Sequence, residues 1–238
     1  MDLGIAGKTA LVTASSKGLG RAAALALSTE GVRVAINARG EERLRQTAAE
    51  LPGEVLTLPG DVTEPDAPAR LVDATVERFG GFDILVANAG GPPAARALDA
   101  DDDALLNAVN ENMLTSIRLV RTAVPHMRAA GWGRICLITS ITVKQPIPNL
   151  TSSNAARAGL WGWAKTAAQD LAGDGITLNL LCPGLHATDR VRDLGRQTEP
   201  LGDPEDFGRI AAFLCSAHAG FVSGAALQVD GAATLGLL

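Results

Sequence analysis

The run Thr9-Ala10-Leu11-Val12-Thr13-Ala14-Ser15-Ser16-Lys17-Gly18-Leu19-Gly20 decides how this chain is read. Its first five residues are short, apolar and β-branched, and a turn of small residues follows at once, which suits a buried strand better than a helix. Gly18 to Glu30 then reads as a helix. In a strand, glycine turn and helix of this order, backbone N–H groups and the helix N-terminus can close on a pyrophosphate. Such a turn standing alone can also serve packing only, so the rest of the chain has to decide.

The alternation continues. Strands are expected near 32–37, 55–58 and 84–87, with helices near 41–51 and 67–79 between them. A long helix is expected over about 104–130, followed by a strand at 134–139, a helix at 153–171 and a strand at 176–182. A last helix near 205–216 and a strand near 226–229 complete the series. Parallel strands with right-handed crossovers predict a single-domain, Rossmann-like, doubly wound α/β sheet of about seven strands with helices on both faces. Residues 184–204 form the longest stretch without clear periodicity and are expected to act as a mobile substrate lid.

Composition narrows the function. The chain has 238 residues, a net charge of -5 and 47% apolar residues, which allows one core of ordinary size. No block of Lys and Arg is available to neutralise phosphates, so nucleic acid is not an expected partner. Cys136, Cys182 and Cys215 lie far apart and are odd in number, so neither a disulfide framework nor a metal site is indicated. No secretory leader or membrane span is visible, and a cytoplasmic location is expected. The acidic run Asp99 to Asp103 reads as a helix start, where the dipole favours carboxylates.

The cofactor's identity is read at the end of the second strand. An acid there would bind the ribose 2′-hydroxyl of NAD, but the chain has Asn37-Ala38-Arg39. Arg39 and Lys17 can instead pair with a 2′-phosphate, so NADP(H) is expected in preference to NAD(H).

Further motifs in order make the chain resemble the short-chain dehydrogenase/reductase family, nearest its 3-oxoacyl-acyl-carrier-protein reductase branch. TASSKGLG is similar to the family's T-G-x-x-x-G-x-G: Thr13, Ser15, Ser16, Lys17, Gly18, Leu19 and Gly20 fall on the cofactor turn, with Ala14 replacing the first glycine. Asp61 and Val62 resemble the pair that contacts adenine, and Asn88-Ala89-Gly90-Gly91 the stretch beside the cofactor. Pro183, Gly184 and Thr188 match a clamp on the nicotinamide side, Asn112 the proton-relay asparagine and Ser140 the serine that hydrogen-bonds the substrate carbonyl. The resemblance also implies a homotetramer or homodimer acting on a small or carrier-bound substrate, with Gly91 to Leu98 bordering the pocket.

The departure from the family lies at Y-x-x-x-K, thirteen residues beyond Ser140, where Ser153 and Arg157 stand instead. No register shift recovers a phenol, because the chain contains 0 tyrosines. A serine hydroxyl donates a hydrogen bond but does not readily yield a proton near neutral pH. Arg157 can bind ribose and supply positive potential, yet it cannot release a proton in that range. Lys144 is the first alternative acid and His186 the second, whereas Lys165 lies two helical turns beyond Arg157 and is no substitute. His126 and His218 are expected to be structural, and Trp132, Trp161 and Trp163 to pack in the core or an interface. Three functions follow: an NADP(H)-dependent oxidoreductase with a non-tyrosine proton donor, a non-redox member such as a dehydratase or isomerase, or a catalytically silent partner subunit.

Overall fold

The computed structural model describes residues 1–196 and 200–236. Seven parallel strands run in the order β3-β2-β1-β4-β5-β6-β7. They are β1 (Thr9–Val12), β2 (Arg33–Ala38), β3 (Val55–Pro59), β4 (Ile84–Ala87), β5 (Gly133–Ile138), β6 (Ile176–Pro183) and β7 (Ala226–Val229). The helices are α1 (Gly18–Thr29), α2 (Glu41–Glu50), α3 (Ala67–Phe79), α4 (Asp102–Val109), α5 (Thr115–Ala130), α6 (Thr151–Leu171), α7 (Asp189–Asp193) and α8 (Pro204–Leu214).

Strand residues alternate between two cores, which is why both faces are apolar in sequence. Leu11, Leu85 and Ile135 face Leu71, Val72 and Phe79 of α3, Leu119 and Ala123 of α5 and Leu160 of α6. Val12, Ile36 and Val86 face Ala23 and Leu27 of α1 and Phe207 and Ala211 of α8. Complete burial of a side chain such as Phe207 or Leu119 contributes about 1.5–3 kcal/mol.

One expected element divides. The long helix is interrupted between α4 and α5 by a π-helical turn, Asn110–Leu114. There Thr115 donates its N–H to the Asn110 carbonyl, and its Oγ1 donates to the same oxygen at 2.8 Å. Hydrophobic spacing does not reveal such a one-residue insertion, because the apolar faces on either side stay in register with the core. Asp101 caps α4 by accepting from the Ala104 N–H at 2.8 Å, so the acidic run does begin a helix. Within residues 184–204, expected to lack regular structure, α7 forms; residues 197–199 of that stretch lie outside the described residues.

The three cysteines are free and buried, and burial pushes the Cys215 thiol up to about 12. Trp132 lies between the Lys8 ammonium, 4.2 Å from the ring centre, and the Arg134 guanidinium at 4.4 Å. Among the described residues no helix is long and apolar enough to cross a membrane.

Candidate active site

The order in which strands are added reverses between β1 and β4, and in an open parallel sheet that switch point leaves a crevice beyond the strands' carboxyl ends. Thr13 ties the two strands: its Oγ1 donates to the Asn88 carbonyl at 2.7 Å and accepts from the Asn88 N–H at 2.9 Å. Ser15 donates its N–H to the Asn37 carbonyl at 2.9 Å and its hydroxyl to the Val12 carbonyl at 2.8 Å. Asn88 Nδ2 donates to the Ala14 carbonyl at 3.2 Å.

The turn between these ties is cramped. Ala14 adopts φ +46°, a left-handed conformation that costs an L-residue roughly 1 kcal/mol or more. A Cβ on Gly20 would lie 2.6 Å from the Ala14 carbonyl oxygen and 2.8 Å from Asn88 Nδ2, so only glycine fits. Lys17 precedes α1 with no side-chain capping bond, and the first turn carries no acid. The N–H groups of a helix start are thereby left facing outward beneath the groove.

Along the rim, Asp61 accepts from the Thr63 N–H at 2.9 Å and from its hydroxyl at 2.8 Å. The Thr63 N–H holds the Asp61 carboxyl below its ordinary value; partial burial opposes this, and the Thr63 hydroxyl and Arg39 reinforce it. Val62 packs into the core. Arg39 is largely exposed and among the described residues pairs only with Asp61, at 3.9 Å, whereas Lys17 points elsewhere, to Asp189 at 3.4 Å. The two cations expected to act together are therefore held by different carboxylates.

At the end of β5, Ser140 Oγ accepts from the Thr142 N–H at 3.2 Å, which leaves its own hydrogen free to donate. Arg157 is buried, with 7% exposure, and its partners are modest. Nε donates to Ser153 Oγ at 3.2 Å and Nη1 to the Ile138 carbonyl at 3.3 Å, and among the described residues no carboxylate pairs with it. Burial, helped by the charge of Arg190 and opposed by Cys182, lowers the guanidinium to about 10. Asn112, in the π turn, is 2% exposed, and neither polar atom of its side chain has a partner among the described residues. The Thr142 hydroxyl is likewise buried and unpaired. Orphaned buried polar groups of this kind cost about 1–3 kcal/mol each unless water or a ligand completes them.

Gly184 packs against the Asp230 backbone, and the Thr188 methyl lies 3.5 Å from where a Gly18 Cβ would be. The Pro183–Thr188 segment thus folds back over the glycine turn. Gly90 and Gly91 are exposed and Ala89 is half-buried beside them. Arg190 Nη2 donates to the Pro92 carbonyl at 2.9 Å, joining α7 to that loop.

The alternative acids fare unequally. Lys144 Nζ stacks over the Trp161 ring at 5.6 Å from its centre. His186 is committed to packing: its ring meets Phe207 edge-on at 5.2 Å, and Nδ1 lies 3.3 Å from the Gly184 carbonyl. Burial lowers its basicity, against weaker opposing effects of that carbonyl and Asp203. The ring is thus held by packing contacts on the Phe207 side. Lys165 donates to the Gly224 carbonyl at 3.1 Å, bracing the approach to β7.

An uncapped helix start, a turn that admits no side chain at Gly20, a buried unneutralised cation and orphaned amide groups all border one crevice. They are suited to a dinucleotide: Gly18, Gly20 and Thr188 could hold its phosphates, and Asn88, Arg157 and Pro183 its nicotinamide ribose. This is the site of a dinucleotide-dependent α/β enzyme. Comparison with known proteins makes the class specific. The family described as enoyl-(acyl carrier protein) reductase matches residues 13–234. Dehydrogenase/reductase SDR family member 4 of Sus scrofa is 33% identical over 240 residues, covering 94% of this chain and 86% of its own. The 3-oxoacyl-[acyl-carrier-protein] reductase of Haemophilus influenzae is 32% identical over 235 residues, covering 94% and 97%. L-sorbose reductase of Gluconobacter frateurii, solved with NADPH and L-sorbose, superposes with a TM-score of 0.91 at 31% identity, covering 99% of this chain and 100% of that one. A 7α-hydroxysteroid dehydrogenase, solved with NADH, gives 0.93 at 27% identity, covering 100% and 98%. The chain belongs to the short-chain dehydrogenase/reductase family of oxidoreductases.

Sequence reasoning missed Arg43, Asp189 and Arg190. Arg43, four residues beyond Arg39 at the start of α2, donates to Asp189 Oδ2 at 3.1 Å. That spacing was the available signal, but nothing in the sequence joins it to a residue 146 positions later.

Proposed function

We propose that this protein is an NADP(H)-dependent oxidoreductase that acts on a carbonyl or alcohol of a small or carrier-bound substrate without a tyrosine acid. The observation that carries this reading is the positive charge kept buried at Arg157, at the carboxyl end of β5, with no carboxylate to neutralise it among the described residues. Unless an anionic or polar partner is to be bound, burying a guanidinium among neutral groups is costly. The choice of NADP(H) rests on the basic rim and on Asn37-Ala38-Arg39, with no acid, at the end of β2, and the solved relatives include both NADPH and NADH complexes.

When bound, the reduced nicotinamide supplies the hydride. Ser140, its Oγ already accepting a backbone hydrogen bond, directs its own hydrogen at the substrate oxygen. Arg157 stabilises negative charge developing on that oxygen through its field and through the Ser153 hydroxyl it holds. The π turn holds Asn112 ready to complete a water chain, so the proton comes from solvent or from Lys144. Assembly as a homotetramer or homodimer belongs to the same proposal and is supported by the exposed apolar side chains of Leu106 on α4 and Phe221. Sedimentation as a monomer would contradict it.

The absence of any tyrosine supports a second reading, a non-redox or catalytically silent member that keeps the fold. One experiment separates the two. The full chain is mixed with NADPH and a panel of ketones, aldehydes and 3-oxoacyl thioesters, and with NADP and the matching alcohols, while nicotinamide absorbance is followed. Substrate-dependent oxidation or reduction that slows in Arg157→Met is expected. Nucleotide binding with no turnover across the panel would favour the second reading.

A further inference from the structure

Asp189 begins α7, in the segment that folds over the glycine turn, and three cations share its carboxylate. Arg43 Nη2 donates to Oδ2 at 3.1 Å, Lys17 Nζ approaches the same oxygen at 3.4 Å, and Arg192 holds Oδ1. Lys17 precedes α1 and Arg43 lies in the first turn of α2, so two of the three come from the elements bordering the nucleotide groove.

The charges around this point do not cancel. The groove has a volume of about 350 Å³, and its lining brings Lys17, Arg21 and Arg43 together with only two acids, Glu50 and Asp189. Arg21 is already satisfied, because its Nε donates to Glu50 at 2.6 Å. That leaves the single Asp189 charge against Lys17, Arg43 and Arg192. Partial burial pushes the Asp189 carboxyl up, but the Lys17 hydrogen bond and charge, with Arg192 and Arg43, outweigh it and hold it ionised below its ordinary value. Arg39, the cation expected on sequence grounds to join Lys17, turns away to Asp61.

Two oxygens on one carbon, each facing cations, copy part of what a phosphate monoester offers with three oxygens and up to two charges. The copy also fastens a lid. Asp189 ties α7 to the α1 and α2 side of the crevice while the next residue, Arg190, ties it to Pro92 on the other side. We propose that Lys17 and Arg43 form the seat for the 2′-phosphate of NADP(H), and that the Asp189 carboxylate is its internal stand-in, a latch that NADP(H) displaces and NAD(H) leaves closed. Arg43 thereby determines cofactor specificity, and the 2′-phosphate governs whether α7 is held down or released. This rests on the NADP(H) reading above.

The test is calorimetric titration of the full chain with NADPH, NADH and 2′,5′-ADP, comparing wild type with Asp189→Asn and Arg43→Gln. Asp189→Asn is expected to tighten NADPH and 2′,5′-ADP by about 5- to 20-fold and to leave NADH within about twofold. Arg43→Gln is expected to weaken the two phosphorylated ligands by about tenfold or more, again sparing NADH. Both substitutions lie on exposed or half-exposed side chains, and circular dichroism confirms that each variant is folded. If wild type binds NADPH but Asp189→Asn binds it no more tightly, the latch is overturned and the cofactor reading stands. Equal tightening of NADH would overturn the assignment to the 2′-phosphate. Failure of wild type to bind any of the three ligands would overturn the latch together with the reading beneath it.

Discussion

The two ends of the sheet treat buried charge differently. At the amino edge Arg134, 4% exposed, donates to the Ser216 carbonyl at 2.9 Å, to Gly133 at 2.8 Å and to Gly175 at 3.2 Å, and it stacks on Trp132. Asp83 at the same edge accepts from Lys8, from the Thr9 N–H and from the Thr9 hydroxyl. At the carboxyl edge, among the described residues, Arg157 has one carbonyl and one hydroxyl, and Asn112 and Thr142 have no partner for their side chains. The Thr177 hydroxyl, near the start of β6, is the exception at the satisfied end. A protein that can complete its polar groups at one edge and leaves them incomplete at the other keeps the second for a ligand.

The most forceful way to break this comparison is to remove each guanidinium in turn. Arg134→Met orphans three carbonyls and should cost roughly 3 kcal/mol in urea unfolding. Arg157→Met removes a charge that the fold does not neutralise, so stability should stay within about 1 kcal/mol of wild type or rise. Equal losses in both would mean that Arg157 is structural.

Gly20→Ala drives a methyl group against the Ala14 carbonyl and should cost about 1–3 kcal/mol, with weaker binding of NADPH. Ala14→Gly relieves the left-handed strain in the same turn. It should stabilise by about 0.5 kcal/mol after the greater flexibility of the unfolded chain is allowed for, measured as a shift in the urea midpoint.

Far more of the fold than of the site could be read from sequence. The alternation of buried strands and helices carried the architecture because each strand is apolar on both faces. The π turn was hidden because its extra residue changes backbone pairing without changing which face is apolar. Thr13, Gly20, Asn88, Ser140, Ser153 and Arg157 could be singled out as candidates because the order of their motifs is itself informative. The Lys17, Arg43 and Asp189 cluster was not, since it depends on where a short helix crosses the crevice. His186 was open for a related reason: sequence places a histidine next to a cofactor loop but does not show whether its ring is enclosed, as it is by Phe207 and Gly202.

The smallest expected effect concerns that ring. Burial holds His186 neutral below its ordinary value of about 6.5, so the unfolded chain binds more protons as pH falls through that value. Its contribution is therefore full above about pH 6.5 and declines on acidification toward the lowered folded value. His186→Asn should flatten the pH dependence of the urea midpoint as pH falls below about 6.5. An unchanged slope would show that the ring's enclosure has no thermodynamic consequence.

The account depends most directly on whether the incomplete groups of the carboxyl edge are completed by a dinucleotide. Calorimetric titration of the wild-type chain with NADPH should show saturable heat at one site per chain, and Arg157→Met should weaken that binding while Arg134→Met, wherever it remains folded, should not. Flat heat, or equal weakening by both substitutions, would contradict it.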